Sequence, residues 1–168
     1  MSAQSEPPAV HQVLFLCTGN SARSILAEAI LNARGAGRFK AYSAGSHPIG
    51  SVNPVALETL ARMGLPTEEP RSKSWDEFAA ADAPPLDLVI TVCDSAAAEA
   101  CPAFPGTPIR AHWSLPDPAA VEGADAQAQA FRETYVALGR RIDAFLELPF
   151  TEVGTEELEA RIRALATA

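Results

Sequence analysis

Five residues separate Cys17 from Arg23 at a junction between an apolar run, Val13 to Leu16, and a helical pattern. In a loop of this kind the backbone N–H groups turn inward, the following helix N-terminus adds partial positive charge, and an arginine offers a planar fork to a tetrahedral oxyanion. The spacing therefore predicts an oxyanion-binding loop. Its members are Thr18, Gly19, Asn20, Ser21, Ala22, Arg23 and Ser24.

Cys17 lies at the base of this predicted loop, where a field that holds an oxyanion would also hold a thiolate. We expect its pKa to fall below the usual thiol value of about 8.5, which would make it a nucleophile. Asn20 is expected to hydrogen-bond across the loop, and Ser24 to donate to the sulfur. The alternative is a buried cysteine that closes a core strand, with Arg23 as an ordinary surface charge.

A second thiol, Cys93, ends the apolar run from Leu86 to Val92 just as Cys17 ends the first run. Because the carboxyl ends of parallel strands meet at one edge of a sheet, the two sulfurs are expected to lie close together. Cys101 follows after seven residues in a stretch rich in alanine and proline. The alternative is that Cys93 and Cys101 are core residues, a common fate of cysteine.

One carboxylate, Asp117, stands between two prolines in the loop 114–118. It is a candidate general acid, and the alternative is an Asx-type turn residue. The three histidines, His11, His47 and His112, lack cysteine or carboxylate partners at metal-ligand spacing. We interpret them as structural and predict no metal site.

The elements that must position these residues alternate between strand and helix patterns, which predicts a doubly wound parallel sheet of four strands with the Cys17 loop at its switch point. Asn53 and Pro54 are a good N-cap and first helical residue. Strands are predicted at 12–16, 39–44, 86–92 and 109–113. Helices are predicted at 24–36, from 54 to about 63, within 66–85 as one short helix, at 124–146 and at 155–165.

Composition limits the kind of protein. With 168 residues, 48% of them hydrophobic, the chain suits a single cored domain. A net charge of -8 argues against nucleic acid or an anionic membrane as a partner, and no apolar stretch is long enough to span a bilayer. Three cysteines without an export signal predict a cytoplasmic protein. We expect a flexible lead-in at 1–11, one domain at 12–150 and a tail helix within 151–168.

Several of these segments together resemble a known family. They are the Cys17–Ser24 loop followed by Ala27-Glu28, Tyr42–Gly45, the Asn53-Pro54 helix, Arg71–Ser74, Thr91–Cys93, and His112-Trp113 before Asp117-Pro118. This set resembles the low-molecular-weight tyrosine phosphatase fold group from about Val13 to Pro149. Within that group, the presence of Cys93 and Cys101 makes the chain similar to the thiol-dependent arsenate reductases.

The resemblance implies a flavodoxin-like three-layer α/β sandwich, with Cys17 as nucleophile, Arg23 as oxyanion ligand and Asp117 as general acid. It implies that arsenate is reduced to arsenite while a disulfide passes from Cys17 and Cys93 to Cys93 and Cys101. Phosphate and sulfate would compete with arsenate. No bound cofactor is expected, and the external reductant would be thioredoxin, or glutathione with glutaredoxin.

Two other functions remain as alternatives. A low-molecular-weight tyrosine phosphatase would need only Cys17, Arg23 and Asp117, and a non-catalytic oxyanion sensor would need no acid. Family phosphatases carry aromatic residues shortly after the acid, whereas alanines follow Asp117-Pro118 here, which weakens the phosphatase interpretation. Some relatives also bind potassium through residues that match Asn20, Glu28 and Ser43, and a further carboxylate of theirs is replaced here near Ser74.

Overall fold

The computed structural model describes residues 10–94, 104–106 and 108–168. Most of the predicted lead-in, residues 1–9, lies outside the described residues, and so does Cys101. The fold and the site below are therefore built from the rest of the chain.

The described residues form one four-stranded sheet in which every pair of neighbours is parallel. The strands are β1 (His11–Cys17), β2 (Phe39–Gly45), β3 (Leu88–Thr91) and β4 (Ile109–His112), in the spatial order β2-β1-β3-β4. The predicted four-stranded parallel sheet is confirmed, although β3 is shorter than the apolar run that predicted it.

The central strand β1 is buried on both faces, as its unbroken apolar sequence predicts. Val13, Phe15 and Cys17 face the larger core, while Leu14 and Leu16 face the smaller one on the other side of the sheet. This alternation follows from the two-residue period of a strand. The sheet is thus the middle of three layers.

Helices cover the sheet, and their bounds are α1 (Arg23–Arg34), α2 (Pro54–Arg62), α3 (Asp76–Ala79), α4 (Ala124–Leu146) and α5 (Thr155–Ala164). The long helix α4 has the predicted bounds. Asn53 caps α2 by accepting a hydrogen bond from the Val55 amide at 2.8 Å, and Pro54 is the first helical residue, as predicted. Helix α1 ends two residues earlier than predicted because Gly35 takes the C-cap position.

The order of the strands places the functional loop at the switch point of the sheet. β1 pairs with β2 on one side and with β3 on the other, so the chain leaves β1 in one direction and later returns on the opposite side. A crevice opens at the carboxyl ends of strands where the direction reverses. The loop that follows Cys17 lies at this crevice, which confirms the prediction.

The last helix, α5, packs on the sheet instead of extending away from it. Leu158 and Ile162 are buried in the larger core, and the indole nitrogen of Trp113, just after β4, donates to the Ile162 carbonyl at 2.9 Å. Within the part of the chain that the structure describes, none of the helices combines the length and apolar character needed to cross a membrane.

Candidate active site

Asn20 fixes the shape of the loop between Cys17 and Arg23. It is fully buried and has a positive φ of 46°, a conformation that asparagine tolerates better than most residues. Its Nδ2 donates to Ser24 Oγ at 2.8 Å, and its Oδ1 accepts from the Lys73 amide at 2.9 Å. The predicted cross-loop hydrogen bond of Asn20 is therefore confirmed. The proposed donation from Ser24 to the Cys17 sulfur stays a prediction.

The carbonyl groups of the loop point outward to a second segment, 46–53. The carbonyls of Thr18, Gly19 and Ser21 accept hydrogen bonds from the amides of His47, Ile49 and Asn53, at 2.9 to 3.0 Å. Since the C=O and N–H of a peptide unit point in opposite directions, the next amide in each case faces the interior of the loop. The amides of Gly19, Asn20 and Ala22 are thus inward-facing donors, as an oxyanion site requires.

Arg23 closes the loop as the first residue of α1, whose N-cap, Ala22, has no capping side chain. One terminal nitrogen of Arg23 donates to the Leu115 carbonyl at 2.9 Å, and the other lies 3.9 Å from Asp117 Oδ2. Its Nε is buried and has no hydrogen-bond partner among the described residues. A buried donor without a partner costs free energy, so this group is suited to an acceptor bound in the loop.

Asp117 stands opposite this arginine at the start of a 3-10 turn, Pro118–Ala120. Its Oδ1 caps the turn by accepting from the Ala119 amide at 3.0 Å, and its side chain is about half exposed. The turn role and the position near Arg23 are therefore compatible, because each uses a different carboxylate oxygen. Asp117 faces the loop from the carboxyl end of the sheet, where a general acid would be needed.

Cys17 and Cys93 meet across the sheet, as the positions of their strands predict. Both are buried and both stand as thiols. Their side chains are in near contact, and Thr18 Oγ1 shares a hydrogen bond with the Cys93 sulfur at 3.6 Å. The second thiol therefore lies within reach of the first without any large movement.

This contact changes the titration of Cys17. The hydrogen bond to Cys93 raises the pKa of Cys17 most, burial raises it further, and the lowering effects of Arg23 and the Thr18 amide are smaller. The expectation of a lowered pKa is wrong for the pair as it stands, because the effect of the second sulfur and of burial exceeds that of Arg23 and the loop.

A buried ion pair between Lys73 and Glu28 lies next to the oxyanion loop, because the Lys73 amide also donates to Asn20. Lys73 Nζ lies 3.9 Å from Glu28 Oε1 and donates to the Arg71 carbonyl at 3.0 Å, while Ser43 Oγ donates to the same Glu28 oxygen at 2.9 Å. Burial raises the pKa of Glu28 and lowers that of Lys73, and each partner partly opposes the shift of the other.

The same contacts bear on potassium. The ammonium group of Lys73 stands 3.9 Å from Glu28 Oε1 and would repel a second cation beside this carboxylate, so these residues do not fit a potassium ion. Across the described ranges, no group of three or more histidine, cysteine, aspartate or glutamate side chains is arranged to hold a metal ion.

Sequence reasoning missed three contacts that surround the site. Thr18 reaches Cys93, Asp94 reaches His112, and Arg141 donates from α4 to the Ser114 carbonyl at 3.3 Å. Each contact joins residues at least 18 positions apart. The register of β3 against β4, which pairs Thr91 with His112, is the one signal that would have placed the second contact.

Comparison with known proteins agrees with this architecture. A family model described as low molecular weight phosphotyrosine protein phosphatase matches residues 12–161. The chain therefore belongs to the low molecular weight phosphotyrosine protein phosphatase family. The predicted fold and the predicted family are both confirmed.

Within this family the chain is similar to proteins named arsenate reductase. The one from Halalkalibacterium halodurans is 39% identical over 136 residues, which cover 80% of this chain and 94% of that protein. A solved structure described as an arsenate reductase in the phosphate binding state has a TM-score of 0.63 and 26% identity, covering 82% of this chain and 97% of that chain. A thioredoxin-dependent arsenate reductase from Corynebacterium glutamicum has a TM-score of 0.55 and 29% identity, covering 80% and 61%.

Proposed function

We propose that this protein reduces arsenate to arsenite and that Cys17, Cys93 and Cys101 pass the resulting oxidation along as a disulfide. The observation that carries the proposal is the near contact between Cys17, at the base of an oxyanion loop, and a second buried thiol, Cys93, whose sulfur lies 3.6 Å from Thr18 Oγ1. Hydrolysis of a phosphomonoester at this site would use water and would not need the second sulfur. The similarity to proteins named arsenate reductase supports the same function.

Arsenate would bind in the loop 18–24. The inward amides of the loop and the unpartnered Nε of Arg23 are donors for its oxygens, and the N-terminus of α1 adds partial positive charge. Phosphate and sulfate are tetrahedral oxyanions that would compete for the same donors. The solved arsenate reductase described in a phosphate binding state is consistent with such competition.

The first chemical step would be attack of the Cys17 thiolate on arsenic. Cys17 gives its proton to an oxygen of the bound arsenate, which leaves the thiolate beside Arg23. A sulfur–arsenic bond forms, an arsenic–oxygen bond breaks, and Asp117 gives a proton to the departing oxygen, which leaves as water. Arsenic remains pentavalent in this covalent intermediate.

The second step would transfer two electrons to arsenic. Cys93, once deprotonated, attacks the Cys17 sulfur, so that a Cys17–Cys93 disulfide forms while the sulfur–arsenic bond breaks. The electron pair of that bond stays on arsenic, which leaves as trivalent arsenite. Cys101 then attacks Cys93, forms a Cys93–Cys101 disulfide and releases the Cys17 thiolate for a new cycle.

An external dithiol would reduce the Cys93–Cys101 disulfide by taking up the oxidation as its own disulfide. Thioredoxin is the proposed reductant, since a similar solved protein is described as thioredoxin-dependent. Glutathione with glutaredoxin is the alternative. No resident cofactor enters the reaction, and the need for such reductants agrees with the proposed cytoplasmic location.

Phosphomonoester hydrolysis is the second candidate function, favoured by the family match. It would use Cys17, Arg23 and Asp117 and water in place of Cys93. We propose it as a residual activity of the same site. The position of Asp117 3.9 Å from Arg23 argues against a purely sensory role, because a sensor has no need of an acid there.

The test is a purified assay with arsenate, thioredoxin, thioredoxin reductase and NADPH, run beside hydrolysis of a small aryl phosphate. Cys93→Ser and Cys101→Ser are each expected to abolish arsenate turnover and to retain aryl phosphate hydrolysis, since only the first reaction needs their sulfurs. Reduction of arsenate by both variants at the wild-type rate would refute the three-thiol relay.

A further inference from the structure

One imidazole ring contacts residues on both sides of Cys93 in the chain. The ring belongs to His112, the last residue of β4, and its Nδ1 lies 2.7 Å from Thr91 Oγ1 while its Nε2 lies 2.8 Å from Asp94 Oδ1. Thr91 is two residues before Cys93, and Asp94 directly follows it. Both contacts are within hydrogen-bond distance, so the ring spans the segment from one side of Cys93 to the other.

The ring itself is held by the sheet. His112 pairs in register with Thr91, and the next amide, that of Trp113, donates to the Thr91 carbonyl at 2.7 Å. On the other side of β3, the Val92 amide donates to the Leu16 carbonyl at 2.9 Å. The backbone up to Val92 is thus fixed by two neighbouring strands, and the contact to Asp94 extends this fixation past Cys93.

The position of Cys93 matters for sulfur chemistry. Attack by one thiolate on another sulfur requires an aligned approach, and a displacement of about 1 Å can reduce the rate of a positioned reaction about a hundredfold. Cys93 is buried and contacts both Cys17 and Thr18. A small rotation of its turn would break these contacts without unfolding the sheet.

We propose that His112 and Asp94 form a clasp that positions Cys93 for attack on Cys17, an inference that rests on the proposed arsenate reduction. They are positioning residues, because they touch the segment that carries the sulfur and not the reacting atoms. His112 contacts Thr91 in β3 and Asp94 directly after Cys93, so the clasp acts on the segment that carries the second thiol.

The surroundings of the clasp allow it to open. The side chain of Asp94 is 83% exposed, and hydrogen bonds of this exposure are readily exchanged with water. His112 and Ser114 lower the pKa of Asp94 through hydrogen bonds, and the nearby charge of Arg23 lowers it further, so the carboxylate stays ionised. The segment that leads to Cys101 begins directly after Asp94.

The test measures formation of the Cys17–Cys93 disulfide in a Cys101→Ser background. Diamide serves as the oxidant and accepts the two electrons and two protons that the thiols lose. His112→Ala is expected to slow disulfide formation about tenfold or more, and Asp94→Asn to slow it less. His112→Gln should restore part of the rate, because its amide can still donate to Asp94. Asp125→Asn, which removes an exposed carboxylate in the first turn of α4, is the matched control.

Hydrolysis of an aryl phosphate supplies the readout that separates positioning from general damage. Since this reaction does not use Cys93, the His112 variants should keep its kcat and KM within about twofold. Equal rates of disulfide formation in His112→Ala and its parent would overturn the clasp, and so would a parallel loss of hydrolysis. Failure of the unsubstituted protein to produce arsenite would instead refute the proposed function, while the diamide rates would still decide the role of His112.

Discussion

At the scale of single residues, reactivity depends on which of two touching thiols keeps its proton. The hydrogen bond that Cys17 shares with Cys93 is the largest influence on Cys17, and it raises the pKa of that thiol. In Cys93→Ala the hydrogen bond is lost while Arg23 and the Thr18 amide continue to favour the thiolate. We therefore predict that the pKa of Cys17 falls in this variant relative to the parent.

The measurement is the rate of Cys17 alkylation by iodoacetamide as a function of pH, followed by mass spectrometry of the Cys17 peptide in a Cys101→Ser background. Cys93→Ser is the control, since a serine hydroxyl can still hydrogen-bond to Cys17 and should shift the midpoint less. A midpoint in Cys93→Ala at or above that of the parent would contradict the prediction.

The sequence predicted which residues meet at the site, but it did not predict how Cys93 changes the pKa of Cys17. The spacing of Cys17 and Arg23 defines the loop by local geometry, and the strand-end position of Cys93 brings it near. The sign of the pKa shift of Cys17 depends on a hydrogen bond between residues 76 positions apart, which no local pattern contains. The clasp contact of His112 was missed for the same reason, because it needs the register of β3 and β4.

At the scale of elements, the end of β2 supports the oxyanion loop through a residue without a side chain. A Cβ built on Gly45 would collide with the Thr18 carbonyl and would come within 3.0 Å of Asn20. Both contacts are with the loop itself and include its backbone, so the loop must shift to accept even a methyl group. Gly45→Ala is predicted to lower kcat/KM about tenfold or more and to destabilise the fold by about 1–3 kcal/mol, as overpacking does.

Steady-state kinetics and urea unfolding of Gly45→Ala measure these effects. Gly154→Ala is the matched control, since a Cβ there meets nothing within 4 Å and the residue precedes α5, far along the chain from the loop. Wild-type kinetics in Gly45→Ala would show that the loop tolerates displacement and that its amides need no fixed position.

Capping residues and apolar spacing, which are local signals, predicted the bounds of two helices. Asn53 and Pro54 marked the start of α2, and the apolar spacing of α4 gave its full length. The hydrogen bond from the Lys73 amide to Asn20 was not predicted, because the sequence of residues 71–74 has no pattern typical of a helix or a strand. Their conformation follows from the strand end and the loop that they join, including the bridge between Gly45 and Ser74.

At the scale of the whole molecule, the alternation of strand and helix patterns was enough to predict the sheet and its switch point. Few arrangements of such a chain bury all four apolar strands with right-handed connections. The placement of the tail helix was not determined in this way, because an amphipathic helix can pack on its own domain or on another surface. The structure settles this for α5, which covers β4 and completes the core around Trp113.

This packing makes the tail a part of the fold, and Ile162 is the residue that tests it. Ile162 is fully buried in the larger core, so Ile162→Ala is predicted to lower the free energy of unfolding by about 2–5 kcal/mol through lost burial and a residual cavity. Urea unfolding at equilibrium measures the loss.

The control is Arg161→Ala, which removes only an exposed i,i+4 ion pair with Glu157 and should change the free energy of unfolding by about 0.5 kcal/mol or less. Because Ile162 lies outside the site, aryl phosphate hydrolysis per folded molecule should stay unchanged, and equal stability of the two variants would mean that α5 is not part of the cooperative core.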